Sequence, residues 1–381
     1  MKKTLHIMSL SRNAGLEIMF LNYLKYMKQK NPEYISFQYV LGLNISDYFK
    51  KELNKLGVNV YNCKKTSKFD ISPIKLANQI IKKENIEIIY GQNFIGNVIA
   101  SFIKIRHKEL KLICHEHGTS WNVKNVTSLL TKLWISKADI IIGNSKAAGI
   151  LLKNRFKAPE NKIKIIYNGV PKQDLIKEKK NKKRLLFAGR LDIVKSPHTL
   201  IYMMSYLIKK DPYIDLIILG EGPCEQSLQD LSIKLNLDSN IHFKGNVNNV
   251  NEYMASSMLL ILPSMREALG NVTIEAAFQE TPTIGTNIDG IPETIKDGIT
   301  GALVEAEYKL YKKTPTKKVV NLTESSLQKP LSPSAKKIAD KVLELLSDYE
   351  DVVTMGRNAR EFVSGKFSMN NYYENITKLL K

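Results

Sequence analysis

The chain has 381 residues, 43% hydrophobic and 25% charged, with a formal net charge of +20. So high an apolar share excludes a disordered chain, and at about 150 residues per domain the length predicts two domains, each with its own core. No uncharged apolar run of about 18 residues occurs, so a membrane-spanning helix is excluded.

The apolar N-terminus breaks at Ser11-Arg12-Asn13. That is too early for a secretion leader, and residues 4–10 read instead as a first buried strand. Further strands are predicted over 36–42, 58–63, 86–91, 110–116, 139–143 and 163–167, with helices between them at 17–29, 73–83 and 126–137. Short buried runs alternating with amphipathic stretches point to an α/β fold with a parallel, doubly wound sheet. The first domain is predicted over 1–174 and a Lys-rich linker over 175–184. A second α/β series follows over 185–365, with strands at 184–188, 214–219, 241–243, 258–262 and 281–285. Residues 305–333 are polar and aperiodic and read as an inserted loop, either a lid or a disordered insertion. Helices are predicted at 334–347, 350–364 and 369–380, the stretch 366–381 packing back on the N-terminal domain. In paired doubly wound domains ligands bind outside the carboxyl ends of the strands, so the site is expected in a cleft between the two.

The charge is unevenly placed. Residues 1–174 hold 29 Lys+Arg against 12 Asp+Glu, and residues 175–381 hold 28 against 25. A compositional bias toward Lys would spread evenly, so the basic first half points to an anionic partner. Nucleic acid would call for a basic-aromatic motif and more than the 8 Arg present. Cys63, Cys114 and Cys224 have no CxxC spacing and read as reduced core thiols of a cytosolic protein. The sequons at Asn125 and Asn321 then carry no sugar.

Two segments carry chemistry. In 263–276 a buried strand ends in a turn, Glu267-Ala268-Leu269-Gly270, that opens a helix near Asn271. The N–H groups of Gly270, Asn271 and Val272 and the positive helix end suit a phosphate, while Glu267 and Glu275 can accept bonds from sugar hydroxyls. In Gly189-Arg190-Leu191-Asp192-Ile193-Val194-Lys195 a strand end carries a guanidinium fork and an ammonium, suited to a departing diphosphate. In the first half, His115-Glu116-His117-Gly118 ends another strand. A metal reading of it lacks third and fourth ligands at useful spacing.

The second half resembles the retaining nucleotide-sugar glycosyltransferases of the GT-B class, family 4, of the bacterial surface-polysaccharide type. The matching series runs Asn168-Gly169-Val170, Gly189-Arg190…Lys195, Gly220-Glu221-Gly222-Pro223 and His242-Phe243-Lys244-Gly245. It continues through Glu267…Glu275, Asp289-Gly290-Ile291-Pro292-Glu293 and Asp297-Gly298 to Gly301. The resemblance implies two Rossmann-like domains facing a cleft. It implies that Arg190 and Lys195 clamp the donor diphosphate, that Glu267 and the N–H groups at 270–272 meet the transferred sugar, and that Glu275 holds the ribose. Val247 is placed near the base. His117, with His115 as runner-up, approaches the donor sugar. The segment Asn13-Ala14-Gly15 resembles the family's Gly-Gly turn, with Ala14 in place of the first Gly. The Gly220-Glu221-Gly222 stretch resembles a structural turn.

The implied reaction transfers a hexosyl or N-acetylhexosaminyl group from a nucleotide sugar, expected to be UDP-linked, to a sugar acceptor on a polyprenyl diphosphate. Retention of configuration is implied, with no cofactor and no metal, for capsular or other cell-envelope glycan synthesis. The basic first half would hold the acceptor and an anionic membrane surface, which makes the protein cytoplasmic and peripheral on the inner face of the membrane. Alternatives are a nucleotide-sugar epimerase of the same fold and a non-catalytic sugar-nucleotide-binding partner. A glycan phosphorylase would need a pyridoxal-binding Lys context that is not evident.

Overall fold

A computed structural model describes the chain except for residues 12–14, 65–66, 68–69, 119, 123–124 and 179 and the side chains of 122, 125 and 126. Asn13 and Ala14 of the first turn therefore lie outside the described residues. The chain forms two compact units, residues 1–171 with 367–381, and residues 172–366.

The first unit holds seven parallel strands: β1 (Thr4–Ser9), β2 (Gln38–Leu43), β3 (Asn59–Cys63), β4 (Ile88–Gln92), β5 (Lys111–Glu116), β6 (Ile140–Gly143) and β7 (Ile163–Ile165). Their order is β3-β2-β1-β4-β5-β6-β7, and Thr4 of β1 registers with Gln38 of β2 on one side and Ile88 of β4 on the other. Helices cover both faces, which is why β1 reads as an unbroken apolar run rather than an alternating one. Leu5 and Ile7 face the helices Ser72–Glu84, Asn93–Arg106 and Asn125–Lys137. Met8 faces Gly15–Lys30, Asp47–Leu56 and the C-terminal helix Met369–Leu380. That last helix is anchored by the N–H of Val170 to the carbonyl of Phe367 and by Tyr372 edge-on to Tyr23, with ring centroids 5.4 Å apart.

The second unit holds six parallel strands: β8 (Asn181–Ala188), β9 (Asp215–Leu219), β10 (Ile241–Gly245), β11 (Ser257–Leu262), β12 (Thr283–Thr286) and β13 (Gly301–Val304), in the order β10-β9-β8-β11-β12-β13. Strand β8 begins inside the Lys-rich stretch 175–184. The segment 305–333, which reads as a loop, carries two small antiparallel sheets. β14 (Ala306–Tyr308) pairs with β17 (Ser332–Pro333), and β15 (Val319–Asn321) pairs with β16 (Ser326–Gln328). Pieces of two or three residues are too short to show a period of two, which is why no strand was legible there. Val319 and Val320 are nonetheless fully buried.

Candidate functional site

In the second unit β8 and β11 are neighbours, yet the chain leaves them in opposite directions, to β9 and β10 on one side and to β12 and β13 on the other. Loops diverging from such a pair open a crevice at the strands' carboxyl ends. The loop after β8 carries Arg190 and Lys195, and the loop after β11 carries Glu267. The Met265 N–H donates to the Val194 carbonyl at 2.8 Å and ties the two loops together. Lys195 Nζ donates to Glu267 Oε1 in an ion pair. The two side chains are 20% and 13% exposed, so this pair is better shielded than an ordinary surface pair. Arg190 takes no part in it. It is 65% exposed, with Nε 3.6 Å from Asp192 Oδ2.

The loop 189–195 rests on the Gly220-Glu221-Gly222 turn. A Cβ at Gly220 would lie 2.2 Å from the Gly189 carbonyl oxygen, and the residue sits at φ +115°. The N–H of Leu191 donates to the Glu221 carbonyl at 3.0 Å. These glycines seat the loop.

The helix Asn271–Phe278 follows Gly270, which lies at φ 88°, and no side-chain cap bond is made at its N-cap among the described residues. Thr273 returns both its N–H and its hydroxyl to the Gly270 carbonyl, at 3.0 and 2.7 Å. The first turn of an uncapped helix is a natural partner for an anion. Val272 and Val247 pack on one apolar cluster that includes Ala188, Leu219 and Ala276, so the structure brings these two predicted residues to the same wall. Glu275 lies one turn into the helix and meets no hydrogen-bond donor among the described residues. Burial pushes its carboxyl up to about 7. A shielded carboxylate without a protein partner is suited to ligand hydroxyls.

Asp289, given no role by the sequence, connects this site to the insertion. The backbone N–H of Glu267 donates to its Oδ2 at 3.1 Å, and the N–H of Val320, in β15, donates to its Oδ1 at 2.6 Å. The Asp289 N–H returns to the Val320 carbonyl at 2.9 Å, and the Gly290 N–H to the Glu267 carbonyl at 3.0 Å. On the other loop, Ser196 Oγ bonds Ser332 Oγ at 2.7 Å with both residues buried, and His198 Nδ1 bonds the Tyr311 hydroxyl at 3.0 Å. The insertion thus grips residues beside both Lys195 and Glu267. The available signal was an Asp-Gly pair at a strand end, but its partner lies 31 residues onward in an aperiodic segment.

In the first unit the His-Glu-His segment divides its labour. His115 is fully buried, and its Nδ1 bonds the Tyr90 hydroxyl at 2.8 Å. Glu116 is a backbone clamp: Oε1 accepts from the N–H groups of Gly118 and Ser120 at 2.7 and 2.9 Å, and Oε2 accepts from the Ser120 hydroxyl at 2.8 Å. His117 lies tilted 33° against His115 with centroids 3.8 Å apart, and its ring nitrogens meet no close hydrogen-bond partner among the described residues, Asn168 being the polar side chain nearest to hand. Burial lowers its pKa to about 3, with Asn168 working weakly the other way, so the ring is neutral at physiological pH. Its open nitrogens make it, of the two histidines, the better placed to meet a ligand. Gly15 opens the helix Gly15–Lys30, and a Cβ there would meet nothing within 4 Å. Among the described residues nothing requires glycine at that position.

Two family models match in succession, Glycosyltransferase Family 4 over residues 15–174 and Glycosyl transferases group 1 over residues 172–314. The N-acetyl-alpha-D-glucosaminyl L-malate synthase of Bacillus anthracis is 24% identical over 332 residues, covering 82% of this chain and 79% of that protein. The N-acetylgalactosamine-N,N'-diacetylbacillosaminyl-diphospho-undecaprenol 4-alpha-N-acetylgalactosaminyltransferase of Campylobacter jejuni is 30% identical over 224 residues, covering 55% and 60%. The Anabaena HepE structure in complex with UDP and glucose is similar with a TM-score of 0.77 at 16% identity, covering 100% of this chain and 99% of that one.

Proposed function

The chain belongs to the family 4, group 1 glycosyltransferases, and we propose that it moves a hexosyl or N-acetylhexosaminyl group from a UDP-sugar to a sugar on a polyprenyl diphosphate, with retention of configuration, in capsular or other cell-envelope glycan synthesis. The observation that carries this reading is the Lys195–Glu267 pair beside a helix head opened by Gly270, with a buried Glu275 that meets no hydrogen-bond donor among the described residues. These groups offer the three chemistries that a nucleotide sugar needs. The diphosphate takes Lys195, the helix head and the exposed fork of Arg190. The transferred sugar takes Glu267, and the ribose takes Glu275. Val247 lines the wall near the base, and Gly15 leaves room for close approach of ligand. His117 serves as an uncharged hydrogen-bond partner for a sugar hydroxyl.

In the proposed step the acceptor oxygen bonds the anomeric carbon as the bond from that carbon to the phosphate oxygen breaks on the same face. The acceptor proton passes to the departing phosphate. Charge growing on the diphosphate is met by Lys195, Arg190 and the helix end, so these cations do the work a metal does in other transferases. The reaction is accordingly expected to run at full rate in the presence of a chelator. The basic first unit is proposed to hold the lipid-linked acceptor at the inner face of the membrane.

A thermal-shift screen over nucleotide sugars tests the reading. A donor at about 100 times its Kd should raise stability by about 2.7 kcal/mol, and a screen in which no UDP-sugar shifts the melt would count against it. The Asp289 bridge makes a separate prediction. In Asp289→Asn one acceptor becomes a donor facing an N–H, so the bridge between Glu267 and Val320 loses one of its two bonds. Turnover should fall about tenfold with donor KM little changed. An equal rise in KM would instead make Asp289 a prop for donor binding as a whole. His117→Ala should lose about ten- to a hundredfold in turnover with an unchanged melt.

A further inference from the structure

Helix Asn93–Arg106 buries Ile99, Ala100 and Ile103 in the core of the first unit, yet its opposite side is also apolar. Ile95, Phe102 and Ile105 are 44%, 40% and 44% exposed, with Val98 half-buried between them. The spacing i, i+3, i+7, i+10 sets the four in one stripe about 15 Å long. The adjoining helix Asn125–Lys137 adds Leu129 at 69% exposure. Single exposed apolar residues are ordinary on a protein surface, but an aligned set marks a surface that something covers.

The surroundings say what covers it. Helices Ser72–Glu84 and Asn125–Lys137 both pack against Asn93–Arg106, and the three together carry seven Lys or Arg against Glu84 alone. Lys83 pairs with Glu84 and Lys104 with Asp139, while Lys75, Lys82, Arg106, Lys132 and Lys137 are exposed. The first unit as a whole holds 30 Lys+Arg against 12 Asp+Glu. A second copy of this chain would bring like charge against like charge. An anionic bilayer matches both features, its acyl boundary taking the stripe and its headgroups the flanking cations.

We infer that the face formed by Ile95, Phe102, Ile105 and Leu129, with its flanking lysines, docks the protein on the anionic surface of a lipid bilayer. The inference gives the proposed lipid-linked acceptor a place to be met, and the proposed peripheral membrane setting a defined surface. It is measured without turnover.

The test is co-sedimentation of the full chain with vesicles of mixed phosphatidylglycerol and phosphatidylcholine, against phosphatidylcholine alone, at low and high salt. The expected result is binding to the mixed vesicles that weakens with salt. Phe102→Ser with Ile105→Ser should lower the partition coefficient about tenfold with an unchanged melt. Lys82→Glu with Lys132→Glu and Lys137→Glu should abolish the preference for anionic lipid. No binding to mixed vesicles at low salt would overturn the inference, as would variants that bind like the parent. A lipid-free dimer that the Phe102 and Ile105 changes dissociate would assign the face to a second copy and overturn it equally. UDP release, read in the same samples, separates a failure of docking from a failure of the transferase reading.

Discussion

A Lys195→Ala variant is expected to lose about 10²–10³-fold in turnover while its donor Kd moves only a few-fold. The asymmetry follows from the pairing of Lys195 with Glu267 when no donor is bound. A donor entering this site must separate the two, so the ammonium's gain on meeting a ground-state diphosphate is largely offset by the contact it gives up. As the bond to the sugar breaks, negative charge builds on the leaving phosphate and the gain grows. The variant also strands Glu267, whose side chain is 13% exposed, beside no counter-charge. That should cost about 1–3 kcal/mol of stability, below the range for a fully buried pair. Lys195→Ala with Glu267→Ala should therefore melt higher than Lys195→Ala alone. Steady-state kinetics with donor titration decides the role. A Kd that rises in step with the loss of turnover would make Lys195 a binding group with no special part in the transition state.

Glu275 is expected to make donor affinity rise about tenfold between pH 6 and pH 8. Its carboxyl titrates near 7 because burial disfavours the charge, and the ionised form accepts from ribose hydroxyls in charge-assisted bonds about twice as strong as those of the protonated form. The same shift acts on the unliganded protein with the opposite sign. The folded state holds a proton that the unfolded chain gives up near the ordinary carboxyl value. Stability from this group is therefore fully present at acid pH and is lost as pH rises toward 7, by on the order of 3 kcal/mol. Glu275→Gln should bind donor weakly and independently of pH. It should melt higher than the parent at pH 8 and close to it at pH 5. A variant less stable than the parent at both pH values would show that the carboxylate serves the fold instead.

Most of the architecture was legible because parallel strands covered on both faces leave unbroken apolar runs. Those of β1, β4, β8 and β11 stand out in the chain. Strand β13 did not, since four residues beginning at Gly301 give too little periodicity. The chemistry was legible where a charged residue follows such a run, as Lys195 follows β8 and Glu267 follows β11. Their pairing was not, because 72 residues separate them and only the adjacency of β8 and β11 brings them together. The work of Asp289 was hidden for the same reason. Its carboxylate accepts from the N–H groups of Glu267 and Val320, the latter in a segment with no readable pattern. His115 and His117 looked alike as letters. Tyr90 separates them: it bonds the His115 ring, while the His117 nitrogens meet no close partner among the described residues beyond Asn168.

In the proposed reaction the loops after β8 and β11 hold a nucleotide sugar, whose sugar passes to an acceptor as the nucleoside diphosphate departs. Free UDP measured over a panel of UDP-sugars, with and without a polyprenyl-diphosphate-linked sugar, tests it most directly. The expected result is UDP release that the acceptor accelerates, one sugar added to the lipid per UDP formed, and loss of both in Lys195→Ala. Binding of UDP-sugars with no UDP released under any acceptor, or conversion to an isomeric UDP-sugar, would contradict it.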